Sequence, residues 1–367
     1  MEIPFYNFNY QHKQIEKEVR QVFQEVFDSS WFVQGNKVKL FEQQYADYIG
    51  VKHCIGVGNG FDALTLSLRA LGIGKGDEVL VPAHTFIATI LSIKAAGAQP
   101  VLVDVDSNTF NIDATLLEKH ITPRTKVIIP VHLYGLVCEM EDIITLASKH
   151  GLYIVEDNAQ ASGAEYKGKK TGSFGHINAH SFYPTKNLGA LGDGGAITTN
   201  DDELARKVRL LGNYGSSIKY HHESQGSNSR LDEIQAAVLS IKLKFLDQWI
   251  EDKRQLVLNY QEGLSVVKQV ICPLLPVEEK RHSSHLYVIK TSQRDALATH
   301  LKSNQINTLV HYPIPVYQQK AFAKEFDINA YPVTERLASE ILSLPLFPGM
   351  TMEQVARVVF QVRQFNF

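Results

Sequence analysis

Short runs of Val, Ile and Leu, each set off by glycine or proline and separated by stretches of helical spacing, govern the first 160 residues. Cys54–Val57, Glu78–Val81, Pro100–Asp104, Lys126–Val131 and Leu152–Glu156 read as strands. Asp62–Leu71, Phe86–Ala96 and Met140–His150 read as helices between them. A strand with one wet face alternates apolar and polar residues; these runs are nearly continuous, so both faces are buried, which is the pattern of a parallel sheet covered by helices on each side. The fold class that follows is α/β, with a large doubly wound, mostly parallel sheet. Ahead of the sheet, Ile15, Val19, Val22, Phe23, Val26 and Phe27 place an amphipathic helix over 12–28. Beyond it, Ala179–Phe182 and Gly195–Thr199 read as short strands, and Glu203–Leu211 and Leu231–Trp249 as helices. After about residue 252 the pattern thins and prolines interrupt it, at Pro273, Pro276, Pro313, Pro315, Pro332, Pro345 and Pro348. A chain of 367 residues exceeds what one core usually organises. The boundary is expected near 250, giving a large domain over 1–250 and a smaller α+β domain over 251–367, with a strand at Leu286–Lys290, a helix at Asp295–Lys302 and a strand at Thr308–His311.

Lys and Arg number 37 against 39 Asp and Glu, a formal net charge of -2, so no basic stripe offers itself to nucleic acid. Cys54, Cys138 and Cys272 stand singly, without the paired spacing of a disulfide framework or a zinc site, and the His221-His222-Glu223 run fits no metal-ligand spacing. No metal is expected. The N-terminus lacks a secretory signal and no long apolar span occurs, which predicts a cytoplasmic chain without membrane contact.

In open α/β sheets ligands sit beyond the carboxyl ends of the strands. After the first strand, Gly58-Asn-Gly-Phe-Asp-Ala-Leu64 is a glycine turn opening a helix, and free backbone N–H groups at a helix start suit a phosphate. The same pattern also opens ordinary helices. Pro82-Ala-His-Thr-Phe86 brings an aromatic ring to the mouth of the sheet, where it packs in the core or lies on a planar ligand. Glu156-Asp-Asn-Ala-Gln160 ends a strand in two carboxylates and an amide; only one carboxylate need face a pocket, and an Asp there also serves as a helix cap. Lys186 projects from a turn-rich connection, Ser181-Phe-Tyr-Pro-Thr-Lys-Asn-Leu-Gly, where packing has no use for a long cation; an exposed loop lysine is the competing reading. A lysine acts as nucleophile or base only when neutral, which desolvation can arrange. A phosphate cradle, a stacking aromatic, a carboxylate for a ring nitrogen and a loop amine together describe a site for pyridoxal 5'-phosphate (PLP), with Lys186 as the Schiff-base lysine.

On these residues the chain resembles the DegT and StrS type of sugar-nucleotide aminotransferases, fold type I PLP enzymes. The stretches that carry the resemblance are Val57–Leu64, Val81–Thr89, Glu156–Gln160, Ser181–Asn187, Gly192–Gly195, Asn228–Ala237 and His311–Pro315. The resemblance implies that Lys186 binds PLP and moves the proton, that Asp157 holds the pyridine nitrogen protonated, and that Gln160 lies near the phenolic oxygen. It places Phe86 on the ring, and Ser181 with the backbone of Gly60 and Phe61 on the phosphate. Asn228 would reach that phosphate from a neighbouring subunit, so a homodimer with a shared site is implied. Tyr183, His311 and Tyr312 are candidates for sugar or nucleotide contacts and Arg230 for the diphosphate; a Pro-flanked packed turn and a structural salt bridge are the competing roles.

The same resemblance implies ping-pong transfer from L-glutamate, leaving 2-oxoglutarate and the pyridoxamine form (PMP), to a nucleotide-linked keto sugar. The family usually has Thr or Ser where Phe61 stands. A large apolar residue there resembles the subgroup that aminates C3 of dTDP-3-keto-6-deoxyhexoses, giving 3-amino-3,6-dideoxy sugars for polysaccharide or deoxyamino sugar biosynthesis. A 4-keto sugar nucleotide and a PLP-binding regulator without turnover are the alternatives. The related dehydratases carry histidine in place of the lysine, and Lys186 argues against their chemistry.

Overall fold

The structure, a computed structural model, describes residues 2–275 and 277–367; Pro276, one of the interrupting prolines, lies outside them. Strands β1 (His53–Val57), β2 (Glu78–Pro82), β3 (Gln99–Val103), β4 (Thr125–Ile128), β5 (Tyr153–Asp157), β6 (Ile177–Ser181) and β7 (Gly195–Thr199) form one sheet in the order β1-β7-β6-β5-β4-β2-β3. Pairing is parallel from β3 through β2, β4 and β5 to β6. Strand β7 runs antiparallel to both β6 and β1. The reversal has a simple cause. Residues 182–194 connect β6 to β7 by a loop with no crossover helix, and only antiparallel neighbours can be joined that way.

Helices α1 (Asn9–Ser29), α2 (Asn36–Ile49), α3 (Gly60–Ala70), α4 (Ile87–Ala95), α5 (Met140–His150), α6 (Asp202–Gly212), α7 (Glu233–Leu243) and α8 (Leu246–Leu264) cover the sheet. Consecutive residues of β2 serve different layers. Val79 and Val81 pack with Leu64, Leu68 and Ile90 on one face, and Leu80 packs with Met140, Ile143 and Ala147 on the other. All three are fully buried. Each contributes roughly 1.5–3 kcal/mol of burial, which is why the run tolerates no polar alternate.

Several elements depart from the expectations. Helix α2 was not among the expected elements, although Val38, Phe41, Tyr45 and Ile49 carry the three- and four-residue spacing of a helix and are buried. Its start is held by tertiary structure: the Glu233 carboxylate accepts from Gly35 N (2.8 Å), Lys37 N (2.9 Å) and Val38 N (2.9 Å). The single helix expected over 231–249 is two helices, separated where Lys244 and Phe245 close a tighter turn. The strand expected over 126–131 stops pairing at Ile128, because Pro130 has no N–H for the ladder; an isolated bridge joins Val131 to Asp157. Residues 308–311 form no strand, only a bridge from Leu309 to Ser343.

The C-terminal region pairs β8 (Tyr287–Lys290) with β9 (Ile341–Leu344) and packs α9 (Arg294–Ser303) and α11 (Met352–Gln364) around a second core, which also takes Ile3. Between α9 and β9, α10 (Pro332–Glu340) starts on Asp104, whose carboxylate accepts from Val333 N and Thr334 N at 2.9 Å. Position 250 falls inside α8. Leu246 and Ile250 pack with Phe41 and Phe182, whereas Leu256, Tyr260 and Leu264 belong to the second core.

Candidate active site

A cavity of about 620 Å³ opens at the carboxyl ends of β1, β2, β5 and β6. Lys186, Asp157, Gly60, Phe61, Phe86, Gln160, Ser181, Tyr183, His311 and Tyr312 all line it. Lys186 sits on the loop from β6 to β7, folded by bonds from Lys186 N to Tyr183 O, Ala190 N to Phe182 O and Phe182 N to Gly194 O, each 2.8 Å. Gly189 is required in that loop, since a Cβ there would collide with the Pro184 carbonyl. Desolvation lowers the Lys186 pKa to about 8, against the pull of Asp157 in the other direction. A useful fraction of neutral amine is therefore present near pH 8.

Asp157 and Glu156 share a strand end and face opposite ways. Glu156 is fully buried away from the cavity and accepts from Gly172 N (2.8 Å), Phe174 N (2.6 Å), Gly175 N (2.9 Å) and His132 Nε2 (2.8 Å). That carboxylate is structural. Asp157, 5% exposed, lines the cavity and accepts from Thr89 Oγ1 (2.9 Å) and Ala159 N (3.1 Å). Burial raises its pKa, although the Ala159 N–H, the Thr89 hydroxyl and Lys186 all favour the charged form. One hydrogen bond on each oxygen leaves this buried carboxylate with spare acceptor capacity, and it opens on the cavity.

The first turn of α3 forms the cavity floor. Asn59 caps the helix by accepting from Asp62 N (2.8 Å), and among the described residues the N–H groups of Gly60 and Phe61 find no acceptor. Ser181 lies against them: a Cβ on Gly60 would stand 2.7 Å from Ser181 Cβ. Free amides at a helix start beside a hydroxyl make an anion site. Phe86 is 50% exposed, with its ring 5.4 Å from that of Tyr312 at 36°. Gln160 joins two walls, accepting from Tyr134 N (2.7 Å) and donating to the Tyr312 hydroxyl (3.1 Å). His311 Nδ1 bonds Ser343 Oγ at 2.8 Å, and burial with the nearby Lys186 charge lowers its pKa to about 4, so the ring is neutral.

Asn228 and Arg230 do not reach the cavity of their own chain. The backbone of Asn228 bridges Asn213. Arg230 donates to Asn213 Oδ1 (3.0 Å), and its guanidinium lies 5.5 Å from the Tyr214 ring centroid. In its own chain Arg230 therefore shows the structural contact that competed with a diphosphate role, away from the cavity. Ser229 between them bonds Gly58 N (3.0 Å) and Asp62 Oδ2 (2.7 Å), which pins this segment to the outer side of the same helix start.

Comparison with known proteins decides the family. The profile of the DegT/DnrJ/EryC1/StrS aminotransferase family matches residues 13–363. The chain belongs to that family. It is 48% identical, over 100% of both chains, to a dTDP-3-amino-3,6-dideoxy-alpha-D-galactopyranose transaminase of Aneurinibacillus thermoaerophilus. It is 46% identical to a pleiotropic regulatory protein of Geobacillus stearothermophilus, over 100% of this chain and 99% of that one. A crystal structure of S. venezuelae DesV in complex with a ketimine intermediate superposes with a TM-score of 0.97 at 44% identity, covering 99% of this chain and 98% of that one. The protein is a transaminase with the fold of this family.

The structure adds lining residues to this transaminase that motif reading passed over. Phe5 and Tyr6 enter the cavity from the N-terminal segment, and Phe5 lies 5.6 Å from the His311 ring. His285 lines it too, held neutral by burial and by Lys186, Lys253 and His311. Nothing local marks these positions, because they arrive from elements remote in sequence. Thr89 was within reach: it follows Phe86 by three residues, on the first turn of the helix that begins there.

Proposed function

We propose that this transaminase moves the amino group of L-glutamate to a nucleotide-linked keto sugar with PLP as cofactor, and that the acceptor is a dTDP-3-keto-6-deoxyhexose aminated at C3. The observation that carries the reading is one cavity holding a lysine with its pKa lowered to about 8, a buried carboxylate without a full complement of partners, and free amides at a helix start. These fit the cofactor group by group. The amides of Gly60 and Phe61 with Ser181 suit its phosphate, Asp157 its protonated pyridine nitrogen, Gln160 its phenolic oxygen and Phe86 its ring face. Lys186 is the amine that attaches it. Bound PLP supplies an electron sink for the pair released when a C–H bond next to nitrogen breaks.

The chain's own residues do the rest. Lys186, once free, would take the proton from the donor α-carbon as its neutral amine and deliver it to the cofactor C4', and in the second half-reaction would carry a proton from C4' to the former keto carbon of the sugar. Asp157 keeps a negative charge against the ring nitrogen, and Thr89 with the Ala159 N–H fixes its orientation. His311, Tyr312 and Tyr183 stand at the cavity wall and mouth, where a sugar would contact them. Asn228 and Arg230, which miss their own cavity, act on the phosphate and the diphosphate in a second copy, so the working unit is a homodimer. Residues 1–250 carry the cofactor, and 251–367 close one side. Similarity to a 3-amino sugar transaminase and the apolar Phe61 support C3 over C4. We place the enzyme in the cytoplasm; among the described residues no helix is long and apolar enough to cross a membrane.

The test is spectroscopic and then chemical. L-glutamate added to the yellow holoenzyme converts the lysine-bound absorption to that of the pyridoxamine form; an unchanged spectrum removes the glutamate reading and favours a regulator. Incubation with 3-keto and 4-keto dTDP-6-deoxy sugars, with the new amine located by NMR, decides the carbon. An amine at C4 overturns the subgroup assignment.

A further inference from the structure

We infer that Lys242 and Lys253, on helices α7 and α8, are positioning residues for Lys186: together they clamp the turn Asn187–Gly189 that follows it. The inference rests on the role proposed for Lys186. Lys242 is 2% exposed and Lys253 is 3% exposed. Lys253 Nζ donates to Asn187 Oδ1 at 2.6 Å, and Lys242 Nζ donates to Gly189 O at 2.6 Å. An ammonium this deep normally brings a carboxylate, since burying an unpaired charge is costly. Neither lysine has an ion-pair partner among the described residues, and burial alone shifts both, to about 8 for Lys242 and about 7 for Lys253. Methionine would fill the same space without that cost. Among the described residues, the one polar contact each amine makes is with the turn that carries Lys186.

The clamp extends further through Asn187, whose Nδ2 donates to Ser283 O at 2.9 Å. Two residues on, His285 lines the cavity and feels the charges of both Lys186 and Lys253. Other titratable groups face the cluster as well: Asp157 toward Lys186, and His12 of α1 toward Lys242. Because α8 runs from the large core into the second one, Lys253 ties the reactive loop to the element both cores share. A reactive group displaced by about 1 Å loses up to a hundredfold in rate. A loosened turn also lets water reach the Lys186 amine, whose lowered pKa comes from desolvation.

The decisive measurement uses the full-length apoprotein, with acetic anhydride as probe and acetylation of Lys186 read by peptide mass across pH. Wild-type Lys186 is expected to titrate near 8. Lys253→Met and Lys242→Met each move that midpoint up by about one pH unit or more. In the holoenzyme they lower kcat about 10- to 100-fold with KM for the keto sugar nearly unchanged. Asn187→Ala, which removes the acceptor and leaves the buried lysine in place, reproduces the Lys253→Met shift and serves if a methionine variant does not fold. Folded variants with the wild-type midpoint and kcat overturn the clamp. A wild-type Lys186 that titrates like an exposed lysine instead overturns the role proposed for Lys186, so the two failures are distinguishable.

Discussion

Asp157 and Lys186 oppose each other's tendencies: burial raises the acid and lowers the amine, and each pulls the other back toward charge. A carboxyl whose pKa is higher folded than unfolded adds stability at low pH, and that contribution is lost as pH rises through the folded value. At neutral pH the charged Asp157 is therefore a cost to the protein without cofactor. Asp157→Asn is expected to raise the apoprotein Tm, with the amide oxygen accepting from Ala159 N and the amide nitrogen donating to Thr89, while kcat falls at least about a hundredfold. A lower Tm on scanning calorimetry contradicts this. For Lys186 the sign runs the other way round: only the neutral amine attacks, so covalent loading of apoprotein with PLP, trapped by borohydride, rises with pH through about 8. The type and order of these residues were legible in the sequence. Which of Glu156 and Asp157 faces the cavity came from the family resemblance alone, because strand alternation assigns opposite faces without saying which face is which.

Single elements depend on contacts that no local pattern announces. Helix α2 begins where the Glu233 carboxylate, from the first turn of α7, collects three backbone N–H groups. Glu233→Ala strands those donors and is expected to cost about 2–3 kcal/mol, seen as a lower urea midpoint. The start of α3 is equally exacting. Gly60→Ala forces a Cβ to 2.7 Å from Ser181 Cβ, with an expected loss of about 1–3 kcal/mol and weaker cofactor affinity. Behind β5, the His132–Glu156 pair has its own pH window. Burial opposes the imidazolium, but Cys138 and Glu156 outweigh it and lift His132 to about 10. Burial likewise opposes the Glu156 charge, and the imidazolium with the Gly172 and Gly175 N–H groups more than reverses it. Stability from the pair is full below the ordinary imidazole pKa of 6.5, fades as pH rises through about 10, and is lost again in acid as Glu156 protonates. Thermal melts across pH check both limbs. Periodicity located α1, α3, α4 and α5 to within a few residues; α2 carries the same spacing, but its start is made by a residue almost two hundred positions away.

At the scale of the molecule, one chain presents the segment Asn228–Arg230 outside its own cavity and leaves Trp31, Phe32 and Tyr220 well exposed. If a second copy completes each site, mixing Lys186→Ala with Asn228→Ala subunits restores activity. Random reassortment gives heterodimers with one intact site each, so recovery approaches about a quarter of wild type. No recovery after subunit exchange argues for a site complete within one chain. The buried Val, Ile and Leu runs by themselves determined a sheet covered on both faces, because no other arrangement hides such strands. The order of cradle, aromatic, carboxylate and lysine pointed to the chemistry proposed for those strand ends. Only the tertiary structure decided that β7 turns back antiparallel, that Phe5 and His285 complete the cavity, and that two buried lysines meet the turn behind Lys186. Those features are relations between segments far apart in the chain, and they exist only once the sheet has brought the segments together.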